Sequence, residues 1–240
     1  MFTGLIQRLG RVSHREETDR GARFVIRPVP GTPAWPGSPP VRGDSIAVNG
    51  CCLTLTNDFG GDFADGSGDD SGKEALHFDV IRQTLRLTTL NELRDGQTVH
   101  LETAATPSTA LGGHIVQGHI DGVGRVVGVD QSGGEWRVKI EPPENLLDGI
   151  IDRGSIAVNG VSLTVAERRE RSFVVALIPT TLELTNLDEL KRGDRVNLET
   201  DYVARIVVNW LQRYGQAGRF PGRADSTVMT PPAGARPDSE

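Results

Sequence analysis

The chain has only two cysteines in 240 residues, and they are neighbours, Cys51 and Cys52. Adjacent residues of an extended chain point to opposite faces, so a bond between them is disfavoured and no disulfide staple is expected. Free thiols suit a reducing compartment. Long apolar runs are also missing: nothing approaches the roughly 18 residues that a membrane helix needs. The opening, MFTGLIQRLGR, lacks the basic flank and apolar core of a secretory signal and reads as mature sequence. A cytoplasmic location is the expectation.

Basic excess is absent as well. The formal net charge is −6, and stretch 57–74 carries most of it, with six acids (Asp58, Asp62, Asp65, Asp69, Asp70, Glu74) against Lys73. The remainder is nearly neutral, with no basic stripe and few aromatics, which speaks against nucleic acid as a partner. There is no GxGxxG after a strand, no GxxxxGK[ST] and no GxSxG, so the usual nucleotide cofactors and the serine-hydrolase elbow leave no trace.

What is present is a repetition. Residues 45–50, SIAVNG, recur unchanged as 155–160, and residues 81–103 align without gaps on 178–200, with 13 of 23 positions identical. GLIQRLGRV at 4–12 lies over GHIDGVGRV at 118–126. Three blocks in the same order, about 100 residues apart, exceed the roughly 20–50 residue period of solenoids. They imply two similar globular domains, 1–103 and 104–200.

Short β-branched segments separated by Gly, Asp, Asn and Pro predict strands at 23–27, 45–56, 77–81, 97–102, 137–141, 155–166, 172–178 and 195–199. Regular short strands in a module of this size predict an all-β fold, a small barrel or sandwich in each copy. Residues 85–93 and 182–190 read as short helical or irregular connections. Asp95-Gly96 and Arg192-Gly193-Asp194 read as hairpin turns. The first copy is longer in two places, the Gly- and Asp-rich stretch 57–74, read as a mobile surface loop, and the Pro-rich run 28–40, where Trp35 is expected to pin the chain. After the second copy, Val203, Ile206, Val207, Trp210, Leu211 and Tyr214 recur at spacings of three and four, an amphipathic helix over 201–215. Its apolar stripe needs a barrel or another subunit to cover it. Residues 216–240 read as a disordered tail.

Chemistry is sought where the copies differ. Cys52 aligns with Ser162, His119 with Leu5, and Asp201 with Ala104. Alternation puts Cys52 beside Thr54 and Ser162 beside Thr164 on one strand face. Each candidate also has a bland reading. Cys52 could be a small buried hydrophobe, and His119 a satisfied structural imidazole. Thr54 and Thr164 are good strand residues, and Asp201 directly precedes a helix that it would cap. Asn49-Gly50 and Asn159-Gly160 suit positive-φ turns. His114 and His119, five residues apart without a carboxylate or cysteine cluster, make a poor metal pair.

MFTG at the start, VNGCCLT, GGHxxxGHxDG between the copies, VNGVSLTV, LIPTTLELTNL and VNLETD before the helix together resemble the riboflavin synthase alpha-chain family, over about residues 1–215. The resemblance implies two tandem six-stranded Greek-key barrels plus the C-terminal helix, through which three chains assemble as a homotrimer. It implies a dismutation of two molecules of 6,7-dimethyl-8-ribityllumazine to riboflavin and 5-amino-6-ribitylaminouracil, without cofactor or metal. By the same resemblance, two lumazines would meet in each active site, between the N-terminal barrel of one subunit and the C-terminal barrel of its neighbour. Association with lumazine synthase is a further partnership the resemblance allows.

Carried over residue by residue, one pocket would be lined by Gly4, Leu5 and Ile6, by Ser162, Leu163 and Thr164, and by Arg153. Leu177, Ile178, Pro179, Thr180, Thr181 and Leu182 complete it. The other would be lined by Cys52, Leu53 and Thr54, by Asp79, Val80, Ile81, Arg82, Gln83 and Thr84, and by Gly118, His119 and Ile120. The catalytic positions fall on Ser45, Cys52, His119, Thr164 and Asp201. Imidazole titrates near neutrality, so His119 would serve as acid or base at the acidic C7 methyl group. Cys52 would add to the ring or activate a nucleophile. Ser45 and Thr164 would place water or donate hydrogen bonds, and Asp201 would orient a partner. Arg153 stands where the family commonly has lysine, keeping the charge but not the point-like geometry. The rival readings are a lumazine-binding protein without turnover and a purely structural double barrel.

Overall fold

The computed structural model describes residues 1–57 and 74–214. The acidic stretch, apart from its ends, and the C-terminal tail lie outside the described residues.

The first copy contains β1 (Arg8–Thr18), β2 (Gly21–Pro28), β3 (Ser45–Val48), β4 (Cys51–Thr54), β5 (Leu76–Ile81), α1 (Arg82–Leu87) and β6 (Thr98–Thr103). The second contains β7 (Gly122–Asp130), β8 (Trp136–Glu141), β9 (Ser155–Val158), β10 (Val161–Arg168), β11 (Phe173–Leu177), α2 (Pro179–Leu184) and β12 (Arg195–Thr200). Helix α3 (Tyr202–Tyr214) follows. The strand order is β4-β3-β6-β1-β2-β5 in one copy and β10-β9-β12-β7-β8-β11 in the other, the same order position for position. The second sheet closes through β10 and β11 into a barrel. In the first, where the 57–74 insertion separates β4 from β5 in sequence, the described residues join the seam by the Leu55–Phe78 bridge, by Thr56 N–H and Oγ1–H to His77 O, and by Asn57, whose Nδ2 donates to Ala75 O and whose Oδ1 accepts His77 N–H.

Alternation explains each barrel. In β4 and β10 the inward residues Cys51, Leu53, Val161, Leu163 and Val165 are buried, while Cys52 and Ser162 are half-buried and Thr54 and Thr164 exposed. The cores centre on Phe24, Ile26, Phe78 and Leu101 in the first copy and Ile140, Ile156, Phe173 and Leu198 in the second. Each such fully buried side chain contributes roughly 1.5–3 kcal/mol.

Several expectations need correction. The segments 45–56 and 155–166 are not single strands but tight hairpins, folded at Asn49-Gly50 and Asn159-Gly160, all four residues at positive φ. Asp95-Gly96 and 192–194 turn the chain but join no hairpin. They lead from the 3-10 turns Thr89–Glu92 and Leu187–Glu189 into β6 and β12, which pair with β1 and β3 and with β7 and β9. Strands β1 and β7 were not expected: Arg, Gly and Glu hide their alternation, although both carry a bulge at the same place, after Val12 and after Val126. Trp35 does pin the Pro-rich run: it is buried, with the Arg8 guanidinium 5.1 Å from its ring centroid.

The copies meet around a pseudo-twofold axis. The Asn-Gly turns abut so closely that a Cβ on Gly50 would stand 2.6 Å from the backbone nitrogen of Gly160. The repeated hexapeptide therefore marks the joint between barrels, which is more than the turn read from its last two residues.

Candidate functional site

At that joint, Asn49 and Asn159 each accept a backbone N–H, from His100 and Asn197, at 2.8 Å. His100 and Asn197 are equivalent residues of β6 and β12, unlike in type but matched in bonding. Asn197 Nδ2 donates to Asn49 O and its Oδ1 accepts Thr89 N–H (2.8 Å), as His100 bridges Asn159 O through Nδ1 (2.9 Å) and accepts Asn186 N–H at Nε2 (3.1 Å). Those partners assign the proton to Nδ1. Complete burial pushes the imidazole pKa down to about 4, so it is neutral.

Around the joint, each copy lends a segment to the other. Phe2 and Val116 exchange backbone hydrogen bonds (2.7 and 3.1 Å). The segment beginning at Phe2 then runs onto the second barrel, where Ser162 N–H donates to Gly4 O, and Ile6 packs on the second core. The segment beginning at Val116 runs onto the first barrel, where Cys52 N–H donates to Gly118 O, and Ile120 packs on the first core. Gly4 and Gly118 have φ of +75° and +80°, and a Cβ on either would stand 2.6 Å from the Cβ of Ser162 or Cys52. Only glycine fits there.

Both segments are held by buried carboxylates. Glu102 accepts Thr3 N–H, Thr3 Oγ1–H and Gly4 N–H (2.6–3.0 Å), and Glu199 accepts Gln117, Gly118 and His119 N–H (2.6–3.1 Å). Burial pushes both carboxyls above the usual range, and the backbone donors work against it. Reading the repeated LET as ordinary strand missed these glutamates. The available signal was an identical acid in both copies, on the strand face opposite Val99 and Leu101 and opposite Val196 and Leu198.

The geometry thus brings Cys52 and the His119 segment together on one barrel, and Ser162 with the Gly4 segment on the other. Ser45 faces Thr54 across β3–β4, next to Cys52 on the outer face, as Ser155 faces Thr164 beside Ser162. His119 is exposed. Asp201 caps α3, accepting Val203 and Ala204 N–H at 2.8 and 3.2 Å. It also lines a groove of about 560 Å³ with Arg153, Ser155, Val207 and Leu211. Arg153 sits there in the left-handed region, φ 61°. The first-copy counterpart is a groove of about 680 Å³ beside Ser45, walled by Pro36–Pro40 and residues 104–109 instead of a helix. Within one chain the five proposed catalytic positions therefore fall into two sets, Ser45, Cys52 and His119 on the first barrel and Thr164 and Asp201 on the second.

At the rim, Asp79 pairs with Arg23 at 3.0 Å, and Ile81 and Ile178, equivalent residues, are exposed just before α1 and α2. Leu177 is buried and Leu182 half-buried against the second core. Arg205 on α3 reaches Asp121 and Gln117, tying the helix to the exchanged segment. Cys51, inward of Cys52, is pushed up to about 12, chiefly by burial, and stays a thiol. No group of three histidine, cysteine or acidic residues able to hold a metal occurs among the described residues.

Comparison with known proteins places this geometry. The lumazine binding domain family matches twice, at residues 3–104 and 117–201. The riboflavin synthase of Mycobacterium tuberculosis is 42% identical over 219 residues, covering 90% of this chain and all of the relative. That of Bacillus subtilis is 30% identical over 214 residues, covering 89% and 91%. Among solved structures, LumP complexed with riboflavin superimposes with a TM-score of 0.68 at 27% identity, and LumP complexed with 6,7-dimethyl-8-(1'-D-ribityl) lumazine with 0.66 at 27%, each covering 83% of this chain and 99% of LumP. The chain belongs to the lumazine-binding, riboflavin synthase family.

Proposed function

We infer that this member of the lumazine-binding family is a riboflavin synthase, a transferase that moves a four-carbon unit between two identical 6,7-dimethyl-8-ribityllumazine molecules. The observation that carries the reading is the matched pair of slots: one frame, built twice by exchanged segments, presents Cys52 in one copy and Ser162 in the other. A reaction that consumes one substrate in two unlike roles needs similar binding and dissimilar chemistry. Backbone groups of the exchanged segments would read the ring edge, and the threonines and Asp79 the ribityl hydroxyls. Proximity and orientation would supply much of the acceleration.

In this reading Cys52 and His119 act at one lumazine, Thr164 and Asp201 at the other, with Ser45 beside the first. Since the two sets lie on different barrels, a complete site forms when the first barrel of one subunit faces the second barrel of its neighbour. Helix α3 supports such assembly: Val203, Ile206, Val207 and Leu211 are 47–60% exposed in the single chain, an apolar stripe suited to a homotrimer core. No described helix is long and apolar enough to cross a membrane, which agrees with a cytoplasmic enzyme, and association with lumazine synthase would place it beside its substrate's source.

The likeness to LumP favours one alternative, a binder without turnover. Incubating purified protein with 6,7-dimethyl-8-ribityllumazine and following riboflavin absorbance separates the two: an enzyme accumulates riboflavin and a binder does not. Sedimentation of wild type and Val207→Glu tests assembly. A trimer that the charge dissociates is expected, and an unchanged mass in Val207→Glu would refute the role of α3.

A further inference from the structure

Neither the shared frame nor the five catalytic positions uses His114. It stands two residues before Val116, on the segment exchanged between copies, and its backbone N–H donates to Thr3 O at 3.2 Å. The residue is buried, with 7% relative exposure. Nδ1 lies 2.7 Å from Ser162 Oγ, while Nε2 is buried with no hydrogen-bond partner among the described residues. The neighbourhood is tight: a Cβ on Gly113 would stand 2.9 Å from the same Ser162 oxygen.

Two proton arrangements satisfy the 2.7 Å contact. If Ser162 donated to Nδ1, neutral His114 would carry its proton on Nε2 and bury an orphan N–H. If Nδ1–H donates to Ser162, only a lone pair is left unpaired at Nε2. Orphan buried donors are the rarer and costlier defect, and burial holds the ring neutral, its pKa below the ordinary value despite the opposing field of Asp201. The second arrangement leaves the Ser162 O–H free to rotate outward. Cys52, in the matching slot, is a half-buried free thiol.

We propose that His114 is a positioning residue of the second pocket, whose Nδ1–H occupies a Ser162 lone pair and turns the Ser162 hydroxyl into a committed donor toward a carbonyl or ring-nitrogen acceptor of bound lumazine. This deepens the lumazine-dismutation reading and rests on it. It gives the two slots opposite characters, a directed O–H donor in one copy and an undirected thiol in the other.

The test compares His114→Leu, His114→Asn, Ser162→Ala and the His114→Leu/Ser162→Ala double variant in the full chain, with 6,7-dimethyl-8-ribityllumazine as probe. Asparagine places an amide N–H near the position of Nδ1–H. His114→Leu and Ser162→Ala should each lower kcat/KM roughly three- to tenfold, the worth of one hydrogen bond. The double variant should be no worse than Ser162→Ala, and His114→Asn should stay within about twofold of wild type. Additive losses in the double variant, or His114→Asn as impaired as His114→Leu, would overturn the proposal. Equilibrium fluorescence titration with the same probe separates the two claims. A wild type that binds without turnover refutes dismutation, and the same pattern in Kd then decides for or against His114; a wild type that neither binds nor turns over lumazine refutes both.

Discussion

The two copies agree where they touch each other and differ at half-buried positions beside those contacts. Contact positions are nearly invariant: Asn49 and Asn159, Gly50 and Gly160, Gly4 and Gly118, Glu102 and Glu199 make the same bonds from opposite sides of the pseudo-axis. Half-buried positions beside those contacts diverge: Cys52 against Ser162, Ala104 against Asp201, Gln7 against Asp121. The last pair accepts the same threonine donors, at Thr103 and Thr200, but only the carboxylate also holds Arg205 of α3. Closure differs too: a strand ladder joins β10 to β11, whereas among the described residues a single bridge and a few hydrogen bonds join the β4 and β5 ends. Identity between copies is therefore concentrated at the joint, where His100 and Asn197 differ in type but not in bonding.

The sharpest way to break this comparison is to fill the glycine contacts. Gly118→Ala adds a Cβ at positive φ against Cys52, costing roughly 1–3 kcal/mol in backbone strain and about as much again in overpacking. Gly4→Ala should cost the same, since its surroundings match. Urea unfolding of both variants checks this, and losses that differ severalfold would show that the exchange is not symmetric.

Acid stability probes the one asymmetric member of the joint. His100 has a folded pKa near 4, below its ordinary 6.5, so the unfolded chain binds more protons between those values. Its contribution is present above pH 6.5 and is lost as pH falls toward 4, roughly 3 kcal/mol in all. His100→Asn, the residue that the second copy places there, should flatten stability over that window. An unchanged slope would mean that another group titrates. A smaller effect is expected from Ser162→Cys, which makes the slots chemically alike and exchanges the O–H donor for a weak S–H: lumazine affinity should fall roughly three- to tenfold, as in Ser162→Ala.

Much of this was legible from the residues alone. Doubling, the barrel class, the connections after β5 and β11, the Asp201 cap and the Cys52/Thr54 face all follow from repetition, alternation and capping rules. The exchange of segments was not, because in a duplicated chain a segment fits its own copy's barrel and the other's equally well by local pattern. Glu102, Glu199 and His100 escaped for a related reason. Their partners lie 51–99 residues away, and a buried polar residue in a strand looks like an outward one until a second barrel covers that face.

The most direct test of one frame carrying two chemistries is Cys52→Ala, with lumazine binding and riboflavin formation measured on the same preparation. Binding is expected to stay within about threefold of wild type, while turnover falls roughly a hundredfold, the scale of losing one group that acts at the reacting atoms. Turnover close to wild type, or equal losses of binding and turnover, would contradict the account.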